Sequence, residues 1–139
     1  MVGDHARVVE HHLQRQEWGK ALDVLCQQDN LELYYKYSPP LMHHVPYETV
    51  NVWIGEPRLE PRRLIPALMR YDVKNNPRGE TQNQAVRYLE HCLYRLRIVD
   101  RAVYDYALSL HARVDDDKAL LLFLSKPGAL SSFFRVVLG

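Results

Sequence analysis

The sequence predicts an all-α fold, in which short antiparallel helix pairs stack into a right-handed α-solenoid of about eight or nine helices. Apolar residues recur at the three- and four-residue spacing of a helix face along nearly the whole chain. No alternating apolar–polar run is long enough to indicate a strand. Links between the segments are short, and helix pairs recur every ~25–40 residues, as in clathrin heavy-chain, TPR and HEAT-type repeats.

The first three predicted helices occupy the N-terminal part of the chain. Asp4 is the expected N-cap of the first helix. The predicted inner face of that helix is His5, Val8, Val9, His12 and Leu13. A very short link near Gln16 leads to the second helix. The predicted inner face of the second helix is Trp18, Ala21, Leu22, Leu25 and Cys26. We expect Trp18 to be buried between these two helices, so that Trp18→Ala costs about 3–5 kcal/mol.

Prolines and glycines set the expected boundaries of the next helices. Asn30 should cap a third helix, which we expect to end near Ser38 because Pro39 and Pro40 cannot continue it. The next helix opens at Pro46 and ends at Gly55. Its predicted inner face is Thr49, Val50, Trp53 and Ile54.

A further helix is predicted to start at Pro61, with Pro66 kinking it or delaying its regular start. Its predicted apolar face is Leu64, Ile65, Leu68 and Met69. The most polar loop, residues 74–79, should follow it.

Thr81 and Gln84 form a predicted capping box for the longest helix. The predicted seam of this helix is Ala85, Leu89, Cys92, Leu96 and Val99. Asp100 should cap the next helix, whose predicted seam is Val103, Tyr106, Ala107 and Leu110. A short buried helix is expected at 118–125. Residues 1–128 are therefore assigned to the α-solenoid segment, and residues 129–139 form a C-terminal apolar tail that is either helical or non-native. We expect the tail to fold back on the last helix or to mediate self-association.

Charge and hydropathy exclude several classes of function. Basic and acidic residues number 18 and 17, the formal net charge is +1, and no basic stripe is present, so no nucleic-acid partner is expected. No apolar run approaches the ~20 residues that span a bilayer, so no direct membrane insertion is expected. Cys26 and Cys92 lie in helical apolar patterns and are predicted to be buried, reduced thiols in a cytosolic protein.

No arrangement of residues indicates catalysis, a metal or a cofactor. The seven histidines include two adjacent pairs, which point to different helix faces, and no Cys-x-x-Cys or His-x-x-x-His occurs. The acidic cluster at 115–117 is explained by a helix start. We therefore predict no catalytic, cofactor-binding or metal-binding residues, no cofactor and no enzyme activity.

Two clusters leave an alternative open. Arg58, Arg62 and Arg63 indicate either a solvated loop or a site for a partner or a lipid headgroup. A second cluster is aromatic and indicates either core packing or an interface. Its members are Tyr34, Tyr35, Tyr37, Tyr47 and Trp53.

Several segments in a fixed order resemble the vacuolar protein sorting-associated protein 18 (deep-orange) family. They are residues 18–25 (WGKALDVL), 30–39 (NLELYYKYSP), 64–68 (LIPAL), 85–90 (AVRYLE) and 102–110 (AVYDYALSL). The resemblance covers roughly residues 3–124, and after residue 124 the chain departs from the family pattern.

The resemblance implies a core subunit of the HOPS and CORVET tethering complexes, which hold endosomal and lysosomal or vacuolar membranes together before fusion. The family chain has an N-terminal β-propeller, a clathrin-repeat-like solenoid and a C-terminal RING. This sequence resembles the solenoid alone, and its two cysteines cannot build a RING. The implied function is a non-catalytic scaffold that contacts other HOPS/CORVET subunits. The implied location is cytoplasmic, peripheral on the cytosolic face of late endosome, lysosome or vacuole membranes. The alternative is a helical-repeat adaptor of another vesicle coat or TPR-like complex.

Overall fold

The computed structural model describes residues 2–74, 83–98 and 100–114, and all regular structure in these ranges is helical. The α-helices are α1 (Val2–Gln14), α2 (Trp18–Gln27), α3 (Leu31–His44), α4 (Pro46–Ile54), α5 (Ile65–Lys74), α6 (Gln84–Glu90) and α7 (Arg101–Val114). A 3₁₀ turn (Pro61–Leu64) precedes α5, and a π-helical turn (His91–Arg95) follows α6. The all-α prediction is confirmed, with seven α-helices in the described ranges against the expected eight or nine. The helix predicted at 118–125 and the tail at 129–139 lie outside these ranges.

The chain divides into two compact units, Met1–Tyr88 and Leu89–Gly139. In the first unit, α1 packs on α2, α2 on α3, and α3 on both α4 and α5. One apolar cluster joins the first three helices. It consists of Val9, Ala21, Leu22, Leu25, Leu33, Tyr37 and Leu41.

Two expectations for α1 are wrong. The helix already begins at Val2, so Asp4 lies inside it instead of capping it. Val8 was expected on the inner face, yet it is 41% exposed whereas its neighbour Val9 is fully buried. Helix α2 covers only part of the apolar face of α1, because a helix buries only the stripe that meets its partner.

A tight turn joins α1 to α2, as the short link predicts. The N–H of Glu17 donates to the carbonyl of His12 at 2.8 Å, and the N–H of Gln16 donates to that of Leu13 at 3.0 Å. Gln16 has a φ of 61°. This is the Schellman pattern of hydrogen bonds that ends many helices, with glutamine at the left-handed position where glycine is usual.

The prediction that α3 ends near Ser38 is wrong, because α3 continues through Pro39 and Pro40 to His44. Pro39 has no N–H for the carbonyl of Tyr35, and the hydroxyl of Ser38 donates to that carbonyl instead, at 2.8 Å. A proline inside a helix costs ~3 kcal/mol or more. The continuation buries Leu41 and Met42 at 1% and 0% exposure. Each buried side chain contributes about 1.5–3 kcal/mol, which offsets that cost.

The end of α3 is also held by the next helix. The buried hydroxyl of Thr49 donates to the carbonyl of Leu41 at 3.1 Å, and the N–H of Val45 donates to the same carbonyl at 2.9 Å. Pro46 occupies the first turn of α4, and Gly55 is its C-cap, as predicted. Of the expected inner residues of α4, Thr49, Val50 and Trp53 are buried.

The segment after Pro61 begins as a 3₁₀ turn and becomes regular α-helix at Ile65, so the predicted delay near Pro66 is confirmed. Leu64 and Leu68 are fully buried. Met69 was expected on the same face and is 50% exposed, so that prediction is wrong. The buried residues are Leu64, Ala67, Leu68 and Tyr71, at regular helical spacing, and Met69 lies beside that stripe.

The longest predicted helix is interrupted. Asn83 is its N-cap, since its side-chain oxygen accepts from the N–H groups of Ala85 and Val86 at 2.8 and 3.2 Å. The predicted capping box includes Thr81, which lies outside the described residues. The α-helix gives way to the π-helical turn after Glu90 instead of continuing to Val99. Among the predicted seam residues Ala85, Leu89 and Cys92 are fully buried, and Leu96 is half-buried.

Helix α7 follows its prediction. The carboxylate of Asp100 accepts from the N–H of Ala102 at 2.8 Å and from that of Val103 at 3.3 Å. Val103, Ala107 and Leu110 are fully buried. Tyr106, expected in the same seam, is half-buried.

Candidate protein-interaction surfaces

Two histidines make packing contacts, and no group of three potential metal-binding side chains occurs in the described ranges. His44 stacks on Trp18 with ring centroids 3.9 Å apart and planes 6° apart. His111 is buried, with Nδ1 2.7 Å from the carbonyl of Ala107 and Nε2 3.5 Å from a carboxylate oxygen of Glu90. No catalytic, cofactor or metal site was predicted from the sequence, and that expectation stays a prediction.

Two side chains predicted to be buried are placed differently. Trp18 is half-buried and stacks on the C-terminal turn of α3, so it does not lie wholly between α1 and α2. Cys26 is exposed, whereas Cys92 is buried as predicted, and the two thiols are not bonded to each other. Partial desolvation, with a smaller effect from Asp23, raises the pKa of the Cys26 thiol. This thiol is therefore less reactive than its exposure suggests.

The arginine cluster after α4 is tied to the rest of the unit. Arg58 donates to Glu56 at 2.8 Å and to Asp29 at 2.6 Å, and its guanidinium lowers the pKa of the Glu56 carboxyl. Arg63 forms a two-bond pair with Glu32, each bond 2.8 Å long, and lowers the pKa of that carboxyl.

Tyr35 completes this fastening. Its ring lies 3.9 Å below the guanidinium carbon of Arg63, and its hydroxyl accepts from the N–H of Glu60 at 2.7 Å. Single exposed ion pairs contribute little, but this set joins the loop after α4 to α3 through fixed, planar contacts. Arg58 and Arg63 therefore hold the loop against α3. These contacts favour neither a freely solvated loop nor a lipid-headgroup site.

The aromatic cluster belongs mainly to the core. Tyr34, Tyr37 and Trp53 are buried, and Trp53 meets Tyr88 edge-on at 5.2 Å between ring centroids. Burial and then the hydrogen bond to Glu10, 2.8 Å long, raise the pKa of Tyr37 to about 12.

Tyr47 is the exposed member of the aromatic cluster, at 55%. The guanidinium of Arg87 lies 4.7 Å from its ring centroid, and it also donates to Asn51 and, at 2.8 Å, to Gln84. These contacts connect α6 to α4 within the first unit. Tyr47 is thus covered on one side by a cation from its own chain.

Two open pockets lie in the first unit. One, of about 350 Å³, is lined by Pro39, Pro40, His43, His44, Arg70 and Tyr71. The other, of about 370 Å³, is lined by Cys26, Tyr34, Asn51, Val52, Gly55 and Glu56. Both are at the small end of ligand-sized clefts. They can receive a partner's side chains.

The second unit has an outward-facing turn that sequence reasoning missed. Cys92 and Leu93 hold the π-helical turn from inside, at 0% and 5% exposure, while Tyr94 is 55% exposed. Arg95 and Arg97 beside it are exposed, and Arg97 has a φ of 53°. The signal in the sequence was the run of tyrosine and arginine between Leu93 and Ile98, but nothing in that run predicts that the helix changes to a π-helical turn there.

Residues 5–133 match the family described as "VPS18, alpha-solenoid domain, second half". A similar protein is the vacuolar protein sorting-associated protein 18 homolog of Danio rerio, which is 41% identical over 127 residues, covering 90% of this chain and 13% of that protein. The vacuolar sorting protein 18 of Arabidopsis thaliana is 42% identical over 118 residues, covering 84% of this chain and 12% of that protein. A homolog from Drosophila melanogaster is 33% identical over 128 residues, with shares of 91% and 12%. The chain thus spans 12–13% of the length of these relatives.

Proposed function

Since this chain belongs to the VPS18 family, as the second half of its α-solenoid domain, we propose that it is a non-catalytic scaffold segment of a vacuolar sorting subunit. The match over residues 5–133 carries this proposal, because it covers most of the chain. The curated relatives are named for vacuolar protein sorting.

The finer proposal is a place in the HOPS and CORVET tethering complexes. There the segment acts in transport from endosomes to lysosomes or vacuoles, and in membrane fusion, through contacts with other subunits of those complexes. Its location is the cytosolic face of late endosome, lysosome or vacuole membranes, where it is peripheral. In the described ranges no helix has the length and apolar character needed to cross a bilayer.

The packing of the first unit supports a scaffold role. Helices pack on their neighbours in sequence, from α1 to α4, which leaves the outer faces of each repeat available to other proteins. The Arg58 and Arg63 contacts fasten the loop between α4 and α5, and Arg87 joins α6 to α4. Such cross-links resist bending between repeats, and resistance to bending is what a spacer needs.

Affinity isolation of the full-length protein from cells, with and without residues 5–133, tests the proposal. Mass spectrometry of the intact protein should find the other tethering subunits in near-equal amounts. Deletion of the segment should reduce that recovery while the deleted protein remains expressed.

Recovery of coat components in place of tethering subunits would favour the alternative, a helical-repeat adaptor of another vesicle coat. Undiminished recovery after deletion would show that the segment is not needed for assembly. In either case the tethering proposal fails.

A further inference from the structure

We propose that the turn formed by Tyr94, Arg95 and Arg97, here called the Tyr-Arg turn, is a docking site for an acidic segment of another protein. It lies in the second unit, between α6 and α7, and uses no residue of the fastening contacts described above. The inference does not depend on the tethering proposal, because it rests on the charge and geometry of this turn alone.

The backbone of the turn departs twice from regular helix. The N–H of Leu96 donates to the carbonyl of His91 at 3.1 Å, and the N–H of Ile98 donates to that of Cys92 at 3.0 Å. The first bond, between residues five apart, is that of a π-helix, which is frequent at functional sites; the second spans six residues and closes the turn. The left-handed conformation of Arg97 costs about 1–2 kcal/mol for a residue other than glycine. Cys92 and Leu93, both buried, hold this costly geometry in place.

The two arginines differ from Arg58, Arg63 and Arg87 of the first unit. Arg58, Arg63 and Arg87 are each held by side-chain hydrogen bonds to carboxylates or amides. Arg95 and Arg97 are exposed and form no ion pair or hydrogen bond within the described ranges. Their donors are therefore available to a ligand without first breaking an internal contact.

Tyr94 gives the turn an apolar surface beside these charges. It is 55% exposed, one of the most exposed large apolar side chains in the described ranges. Tyrosine and arginine are the residue types enriched among the energetically dominant positions of protein interfaces. Arg101, at the start of α7, adds a third cation with an exposed side chain, 3.6 Å from Asp105.

Carboxylates on a protein fit this turn better than a membrane does. Guanidinium groups pair with carboxylates through two parallel hydrogen bonds, and the tyrosine ring can contact the aliphatic stems between them. Binding to anionic lipid usually takes roughly four to eight basic residues in one cluster. Here Arg95, Arg97 and Arg101 are interspersed with Asp100 and Asp105. The occupant is therefore an extended or helical protein segment that carries aspartate or glutamate next to an apolar residue.

A dye-labelled peptide in which glutamate and aspartate alternate with leucine tests this by fluorescence anisotropy on the whole chain. The matched control peptide has glutamine and asparagine in place of the acids. We expect the acidic peptide to bind, the amide peptide to bind ~10-fold more weakly or not at all, and added salt to weaken binding.

The variant Arg95→Glu/Arg97→Glu should weaken binding of the acidic peptide by ~10-fold or more, because reversed charges face the ligand's carboxylates. Arg7→Glu, a single charge reversal at an exposed residue of α1, should leave binding within about twofold. If the double reversal impairs folding by circular dichroism, Arg95→Gln/Arg97→Asn replaces it, since asparagine tolerates the left-handed conformation. That variant should also lose most of the binding.

Several results would overturn the proposal. They are no binding of the acidic peptide, equal binding of the amide peptide, and equal loss in Arg7→Glu. Another is sedimentation of the chain with phosphatidylserine vesicles when the peptide does not bind, which would identify a lipid surface as the occupant.

Discussion

Gln16 and Arg97 are the two residues other than glycine with positive φ in the described ranges, and they terminate two turns that are otherwise unlike. The charged side chains around the Gln16 turn pair with one another. Its neighbour Glu17 contacts Lys20 at 2.8 Å, His12 at 3.1 Å and Arg15 at 3.5 Å. The hydrogen bonds from Lys20 and His12 lower the pKa of Glu17 to about 2.

The arginines of the Tyr-Arg turn have no comparable set of partners within the described ranges, where Arg95 and Arg97 are exposed and form no ion pair. Both turns contain one left-handed residue, with the same backbone cost. The first turn joins α1 to α2 through three residues. The second turn carries side chains that are exposed within the described ranges. An unusual φ by itself therefore does not indicate function, and the docking role proposed for the Tyr-Arg turn depends on its exposed side chains.

Stability should change most when the buried side of the Tyr-Arg turn is altered, and little when its exposed side is altered. Leu93 is 5% exposed and its neighbour Tyr94 is 55% exposed. Leu93→Ala should lower the free energy of unfolding by about 2–5 kcal/mol, because it removes buried surface and leaves a cavity. Tyr94→Ala should change it by about 0.5 kcal/mol or less. Urea denaturation measures both, and equal losses would mean that Tyr94 is part of the core and not of a docking surface.

Next in size is the aromatic stack that follows the Gln16 turn. The sequence-based expectation for Trp18→Ala was a loss of about 3–5 kcal/mol. Because Trp18 is half-buried and stacks on His44, we now expect about 1–2 kcal/mol. Trp18→Phe keeps a stacking ring and should lose less. A full loss in Trp18→Ala would show that the ring is buried in solution.

Glycine at the two left-handed positions should stabilise the chain slightly. Gln16→Gly and Arg97→Gly each remove a backbone cost of about 1–2 kcal/mol. The greater freedom of glycine in the unfolded chain opposes this gain by roughly 0.5–1 kcal/mol. The net gain is about 0.5–1 kcal/mol in each case, measured as a raised urea midpoint. Arg97→Gly should in addition weaken binding of the acidic peptide, whereas Gln16→Gly should not. A loss of stability in both would contradict the assigned conformations.

The smallest effect is the pH dependence of the Gln16 turn. The pKa of Glu17 is lowered from 4.5 to about 2, so its stabilising contribution is present above pH 4.5 and is lost as pH falls through 2. Glu17→Gln should therefore lower the melting temperature slightly near neutral pH and match the unchanged chain near pH 2. Glu48→Gln, at an exposed carboxylate of α4, is the control and should follow the unchanged chain throughout. A constant difference between Glu17→Gln and the unchanged chain at all pH values would rule out this linkage.

Local chemistry made much of the fold predictable. Asn30 and Asp100 cap α3 and α7 because their side-chain oxygens reach N–H groups two or three residues ahead, and no distant residue takes part. Pro46 opens α4 for the same local reason. The burial of Ala85, Val103 and Ala107 was also predicted, because small and apolar side chains at helical spacing indicate the face that packs on other helices.

The candidate surface could not be predicted in the same way. Tyr94 and Arg95 lie in the π-helical turn that begins at His91, and Arg97 follows it; that turn does not follow from the propensities of residues 91–95. The arginine cluster at 58–63 was visible, but its neutralisation by Asp29 and Glu32 depends on contacts about thirty residues away in the chain. An ion pair between distant segments has no periodic signal in a sequence.

The all-α fold, the start of most helices and the resemblance to the VPS18 family could all be read from the amino-acid sequence. They follow from spacing, capping and ordered motifs, which act over a few residues. Contacts between helices were needed to show that α3 passes through Pro39 and Pro40, that Cys26 is exposed, and that Trp18 stacks on His44. Each of these is settled by burial against other helices, since the energy of packing exceeds or offsets the local preferences of the residues involved.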